Sequence, residues 1–297
     1  MAVQIRTEKK VQLKMQAQVT GKGAPLVLVP GGLTGWLSWE PHVARLAASR
    51  QVISAQLLSV EYGLEKCKLP PDYSLKTESQ ALAATLDELG LTAPLDLVAW
   101  CYGAAITLDY ALDHLERVLT LTLIEPPALW VLGAQTPRGP KYESALALSK
   151  MIQDDVSEAQ LEQFALAMGL CPLGKSPAKS AQWPVWMHHR QSLLNTSAMF
   201  RHRDDPARLR TFGRPVLLVK GADSAEFLHQ VINSLAAQLP NAQTVEMPGG
   251  HAPQLASMDR FLEQLAFFQN AAHGLFVPNS RKHNVALGGA LGSDPVI

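Results

Sequence analysis

Apolar positions along the chain follow two alternating periods. Continuous runs at 25–30 (Pro-Leu-Val-Leu-Val-Pro), 95–100 and 118–124 have the length and β-branched content of buried strands. Between them the spacing turns helical, as at 74–89, where Ala81, Leu82, Leu86 and Leu89 share one side. The pattern predicts a strand pair at 2–6 and 11–19, a strand at 25–30, a helix from about Ser38 to Ala48 and a strand near 51–57. A loop around Pro70-Pro71, the helix 74–89, the strand 95–100, a helix at 103–115 and the strand 118–124 follow. The alternation resumes with a strand at 215–220, a helix at 225–238, a strand at 243–247 and a helix at 257–272. Continuous apolar strands alternating with helices imply a mostly parallel sheet with helices on both faces, an α/β fold.

Residues 126–210 break this rhythm. They hold no convincing strand and predict helices at 142–153, 157–168 and 182–200, separated by Pro- and Gly-containing turns. Placed after a sheet strand, such an insertion reads as a helical cap over the carboxyl edge of the sheet. The core would then be 1–125 plus 211–276. The tail from about Val277, with Gly288, Gly289 and Gly292 and no periodicity, reads as mobile.

Composition narrows the class. The 297 residues suffice for one large domain or a domain with an insertion. Lys+Arg and Asp+Glu balance at 26 each, so no global field recruits nucleic acid or an anionic membrane. The first ten residues lack an apolar targeting core, and no run approaches transmembrane length. Three cysteines, Cys67, Cys101 and Cys171, form no metal-spaced cluster and leave at least one unpaired, which fits a cytoplasmic setting.

The stretch 94–107, Pro-Leu-Asp-Leu-Val-Ala-Trp-Cys-Tyr-Gly-Ala-Ala-Ile-Thr, reads as strand, tight turn and helix with Cys101 at the tip. That is the context of a nucleophile elbow, with Cys where serine usually stands. Ala99 and Gly103 keep bulk away from the turn, and the following helix aims its N-terminal amides toward the sulfur. Cysteine chemistry of this kind also needs a base, an orienting acid and an oxyanion hole. His251, in Met-Pro-Gly-Gly-His-Ala-Pro, follows the last strand, and Asp223, in Val-Lys-Gly-Ala-Asp-Ser, follows the strand 215–220. Both sit at carboxyl ends of strands, where sites gather in parallel sheets. Glu125, at the end of strand 118–124, is the rival acid.

These residues, in the order nucleophile, acid, histidine, resemble an α/β-hydrolase with a helical cap over roughly residues 10–272. The cysteine is similar in kind to that of the dienelactone hydrolases, which use a Cys–His–Asp triad. The resemblance implies a sheet of the eight-stranded type, Cys101 as nucleophile, His251 as base and acid, and Asp223 as orienting acid. It also implies an oxyanion hole from the amides of Gly32 and Tyr102, with Leu33 as the neighbouring alternative. Two positions depart from the family pattern: Pro30-Gly31 replaces the frequent His-Gly pair, and Ala99 replaces the first elbow glycine. Hydrolysis of a small ester, lactone or thioester through acyl-Cys101 is the expected activity. Acyl transfer or ring closure on the same intermediate, and ligand binding without catalysis, are the alternatives.

Trp36, Trp130, Trp183, Trp186, Met187 and Phe200 are candidates for an apolar pocket, shared with cap core. Arg190, Arg201 and Arg203, with His188, His189 and His202, make one segment basic, but Asp204 and Asp205 follow and predict a self-neutralised surface. Pro30-Gly31-Gly32-Leu33 lacks the Lys-Ser/Thr of a phosphate loop. The expectation is an enzyme with no cofactor and no metal, acting on a small-molecule acyl substrate, and homodimerisation is left open.

Overall fold

The strands that read most clearly in the sequence form the centre of one sheet. In the computed structural model, which describes residues 13–132, 139–152, 155–171, 174–195 and 197–275, seven strands are present among the described residues. They are β1 (Ala17–Thr20), β2 (Ala24–Val29), β3 (Arg50–Ala55), β4 (Leu95–Trp100), β5 (Val118–Ile124), β6 (Val216–Gly221) and β7 (Ala242–Met247). Their spatial order is β1-β3-β2-β4-β5-β6-β7, and every pairing is parallel except β1 with β3. The eight-stranded form is therefore corrected to seven here; the strand foreseen at 2–6 and the tail from Val277 lie outside the described residues. All six residues of β4 are buried, as expected of a central strand covered on both faces.

Twelve helices are described: α1 (Glu40–Leu46), α2 (Leu58–Leu64), α3 (Leu75–Glu88), α4 (Tyr102–Asp113), α5 (Gly139–Met151), α6 (Glu158–Met168), α7 (Trp183–His189), α8 (Ser197–Arg201), α9 (Ala207–Arg210), α10 (Glu226–Gln238), α11 (Pro253–Ala256) and α12 (Met258–Leu275). Local chemistry sets several ends. Ser74 and Ser157 begin α3 and α6 with reciprocal capping bonds to Thr77 and Gln160, and Gly169 closes α6 in the left-handed conformation. The buried stripe of α10, Phe227, Leu228, Val231, Ile232 and Leu235, follows helical spacing and faces the sheet.

Two expectations change. The helix foreseen at 38–48 begins as a 3-10 turn, Gly35–Trp39, before α1. The one foreseen at 182–200 is broken into α7, a 3-10 segment Arg190–Asn195, and α8. Packing explains the second break: α2, unforeseen from the sequence, presses Gly63 against the backbone of Ser192, where an added Cβ would stand 2.7 Å from the Ser192 nitrogen. Between β5 and β6 the described residues are helical or irregular, and residues of α6, α7 and α8 reach the carboxyl edge of the sheet.

The strand order turns at β2 and β4: from β2 the chain steps outward to β3, beside the edge strand β1, then crosses to β4 and moves outward through β5, β6 and β7 on the other side. Parallel sheets open a crevice beyond the carboxyl ends at such a point. Gly31-Gly32 and Cys101 sit there.

Candidate active site

Cys101 follows β4 with φ 54° and ψ −127°, a conformation that costs a side-chain-bearing residue about 1–3 kcal/mol. The surrounding backbone holds it: the Cys101 amide donates to Ile124 O at 2.9 Å, and its carbonyl accepts from the Ala104 amide at 2.9 Å. The turn tolerates nothing larger than glycine two residues on, because a Cβ at Gly103 would lie 2.2 Å from Pro30 O. Ala99 is fully buried between β2 and β5.

The loop after β2 lies directly against this elbow. An added Cβ at Gly31 would stand 3.4 Å from Cys101 Cβ, and one at Gly32 would stand 3.3 Å from Tyr102 Cβ. Tyr102 is the first residue of α4, so its amide has no acceptor within the helix. Gly32, Leu33 and Tyr102 thus border the same space as the thiol.

His251 is 1% exposed and is placed by three contacts. Its amide donates to Gly169 O at 3.1 Å, its carbonyl accepts from Trp100 Nε1 at 2.7 Å, and the Trp100 ring lies 5.8 Å away. Its Nδ1 meets Glu125 Oε2 at 3.3 Å. Nε2 makes no hydrogen bond of ordinary geometry, and Cys101 is among the groups that act on the imidazole. Burial lowers the imidazole pKa, but the negative charge and hydrogen bonding of Cys101, then of Glu125, outweigh it and raise the pKa to about 10.

The acid that meets His251 differs from the expectation. Glu125, fully buried and at φ 50°, accepts from the Gly221 amide at 2.7 Å, from the Ser224 hydroxyl and from His251. Trp100 pairs with Ile124 across β4 and β5, so Cys101 and Glu125 leave adjacent strands at the same level. Asp223 is not the partner of His251. Its amide donates to Gly249 O at 2.9 Å, while its exposed side chain makes no hydrogen bond among the described residues. The rival named from the sequence holds the position. Ser224 and Gly169 carried no sequence signal for their supporting parts.

The thiol opens on a cavity of about 1110 Å³. Leu33, Tyr102, Phe164, Met168, Trp186 and Met199 are among its walls, with Asp223 and Lys141 also lining it. Trp186 is where the sequence placed it, but Trp36, Trp130, Trp183 and Met187 do not line this cavity. Trp36 borders a smaller pocket with Gln56 and His189; Trp130 stacks on His202 at 6.3 Å; Trp183 stacks on the outer side of Trp186 at 6.4 Å. Met187 packs against the core, and Phe200 against Tyr142. These positions fail because helical spacing alone does not say which side of a covering helix turns inward.

The basic segment is tied up internally. Arg190 donates to Val156 O and Met187 O, Arg203 to Phe200 O and His202 O, and Arg201 to the Ser197 hydroxyl. Ligand atoms of Asp109, His202 and Asp204 lie within 4.8 Å of one another, but the Lys76 ammonium already sits 2.9 Å from Asp109.

Comparison with known proteins follows the geometry. The sequence profile of the family described as Alpha/beta hydrolase family matches residues 26–264. The chain belongs to the alpha/beta hydrolase family. Within it, the chain is similar to RutD of Klebsiella pneumoniae strain 342, a protein named for an inferred carbamate hydrolase activity. The two are 30% identical over 242 residues, covering 80% of this chain and 89% of that one. It is also similar to the pimeloyl-[acyl-carrier protein] methyl ester esterase of Chromobacterium violaceum, 28% identical over 176 residues, covering 58% of this chain and 69% of that one. Among solved alpha/beta hydrolase structures, a thermophilic esterase from Thermogutta terrifontis superposes with a TM-score of 0.68 at 20% identity, covering 87% and 94% of the two chains. A hydrolase from Pseudomonas aeruginosa reaches 0.71 at 18%, covering 86% and 93%, a likeness of fold alone. No described helix of this family member is long and apolar enough to cross a membrane.

Proposed function

We propose that the protein is a hydrolase of small acyl compounds that works through a thioester on Cys101. One observation carries the reading: the Cys101 thiol stands on a strained elbow and acts on the imidazole of His251, whose Nδ1 is held by the buried Glu125. The names of the relatives, an inferred carbamate hydrolase and an ester hydrolase, support cleavage at a carbonyl.

The chemistry follows from charge and position. A cationic His251 beside the sulfur favours the thiolate, which attacks the substrate carbonyl carbon and forms a C–S bond. The resulting oxyanion lies toward the amides of Gly32, in the loop after β2, and of Tyr102, which bears partial positive charge at the start of α4. When the tetrahedral adduct collapses, His251 gives its proton to the departing alkoxide, amine or thiolate. Neutral His251 then takes a proton from water as that water attacks the thioester, and the thiolate leaves as the acid forms. Glu125 holds the imidazole in register and balances its charge; it forms no bond to substrate.

The test is intact-mass spectrometry after exposure to p-nitrophenyl esters and acyl thioesters, beside Cys101→Ala. A single acyl adduct on Cys101 that decays in water with release of free acid is expected. An adduct stable in water until an amine or thiol is added reassigns the protein as an acyltransferase. Undiminished acid release from Cys101→Ala would sink the thioester altogether.

A further inference from the structure

Behind the elbow lies a polar network that the reaction above does not use. Glu78, on α3, is fully buried, and its carboxylate accepts three hydrogen bonds. The Leu58 amide donates to Oε2 at 3.0 Å; the Ser59 amide and the Tyr73 hydroxyl donate to Oε1 at 2.8 and 2.7 Å. Burial pushes the Glu78 pKa up, and the three hydrogen bonds to the carboxylate oppose that push. Among the described residues no Lys, Arg or His forms an ion pair with it.

The network reaches the cavity through Tyr102. Tyr73 spends its proton on Glu78, so at 3.2 Å from Tyr102 its oxygen is the acceptor and Tyr102 the donor. The Tyr102 oxygen is then left with lone pairs and no proton to offer. Ser59 also lines the cavity, and its hydroxyl acts on Glu78 without completing a hydrogen bond of ordinary geometry.

A second buried hydroxyl lines the same cavity, on the segment packed against α2. Ser59 and Gly63 lie one turn apart on α2 and so on one face, and that face packs against Ser192. The Ser192 hydroxyl has no hydrogen-bond partner. Ser59 and Ser192 are 2% and 3% exposed. A buried hydroxyl without a completed hydrogen bond is costly, and two lining one cavity are explained by a ligand that satisfies them. Arg201, the cation acting on Tyr102, is itself exposed and bonded to Ser197.

We infer that Tyr102, Ser59 and Ser192, backed by the buried Glu78, form a recognition site for a hydrogen-bond donor, an ammonium or a hydroxyl, on the acyl group of the substrate. The inference rests on acyl chemistry at Cys101 and adds the substrate class. Tyr102 and Cys101 line the same cavity, so the donor belongs on the acyl side of the substrate. Tyr102 and the two seryl oxygens accept from an ammonium or from a hydroxyl, which ranks both above plain alkyl.

Matched p-nitrophenyl esters of butanoate, 3-hydroxybutanoate and 3-aminobutanoate test this by the rate of Cys101 acylation. Wild-type protein is expected to prefer the better donor-bearing ester over butanoate by about tenfold or more in kcat/KM, because buried polar groups stay unpaired with the plain chain. In Ser59→Ala/Ser192→Ala the preference collapses toward unity, chiefly through the KM of the donor-bearing esters. A hydroxyl preference equal to the ammonium preference supports the donor site. Equal rates for all three esters, or a preference that survives the double variant, overturns it. Binding of the corresponding butyramides to Cys101→Ala separates the two proposals. If no ester acylates Cys101 but the 3-amino or 3-hydroxy amide binds more tightly than butyramide, the reaction fails and the site stands. Equal binding of all three removes the site whatever the reaction.

Discussion

Cys101 and Glu125, at φ 54° and 50°, are held in a region of backbone space that disfavours side chains, at the carboxyl ends of adjacent strands. Their strain is shared: the Cys101 amide bonds Ile124 O, and the Glu125 amide bonds Val219 O at 3.0 Å. The cysteine and histidine were legible because elbow and Gly-Gly-His loop are local patterns. The acid was not, because Asp223 and Glu125 both follow strands and only the path of the loop decides between them. That loop packs Gly250 O over Gly221 and uses the Asp223 amide to anchor Gly249, which directs His251 toward β5. Glu125→Gln is therefore expected to lower acylation of Cys101 by about 10²–10⁴-fold, and Asp223→Asn to leave it near wild type. The pH profile gives an independent readout. His251 has a folded pKa raised to about 10, so its proton is present below that value and lost as pH rises through it. Acylation falls along that basic limb, and the stability owed to the charged imidazole, complete below about pH 6.5, disappears over the same rise. Glu125→Gln removes one source of the elevation and moves the limb to lower pH. A limb that stays in place would separate Glu125 from His251.

At the scale of elements, β4 and β5 are read from the sequence at their observed limits, because runs of apolar or β-branched residues of that length, broken in β4 only by Asp96, can be little else. α2 was missed for an equally physical reason. Leu-Ser-Val-Glu-Tyr-Gly-Leu has a β-branched residue and a glycine, and no capping side chain precedes it. Its cap comes from another helix: Glu78 receives the amides of Leu58 and Ser59 at the first turn. No local window contains that information. Glu78→Ala is expected to destabilise the protein by about 2–4 kcal/mol, since two amides and the Tyr73 hydroxyl lose their acceptor in a dry site. Thermal unfolding measures the loss, and hydrogen exchange should localise it to residues 58–64. Unchanged protection there would show that packing alone sustains α2.

The whole molecule places a reactive thiol under helices rather than on an open edge, and the inside of that arrangement decides chain length. Cys101 is 9% exposed and His251 1%, yet the space beyond them measures about 1110 Å³ and is walled largely by Leu33, Phe164, Met168, Trp186 and Met199. The helical insertion was legible as an interruption of strand rhythm, whereas the inward face of each helix was set by contacts such as the His251 amide on Gly169. A cavity of that size and lining stabilises an acyl chain by apolar burial, about 0.8 kcal/mol per methylene, or roughly fourfold in kcat/KM. From acetyl through butanoyl to hexanoyl esters, acylation should rise by about that factor per carbon until the chain meets the far wall, where the increment vanishes. Trp186→Ala moves that wall, so its expected effect is selective: little change for acetyl, and a plateau reached at longer chains. Equal losses at every length would mean that Trp186 supports the helices over the site and does not bound the substrate.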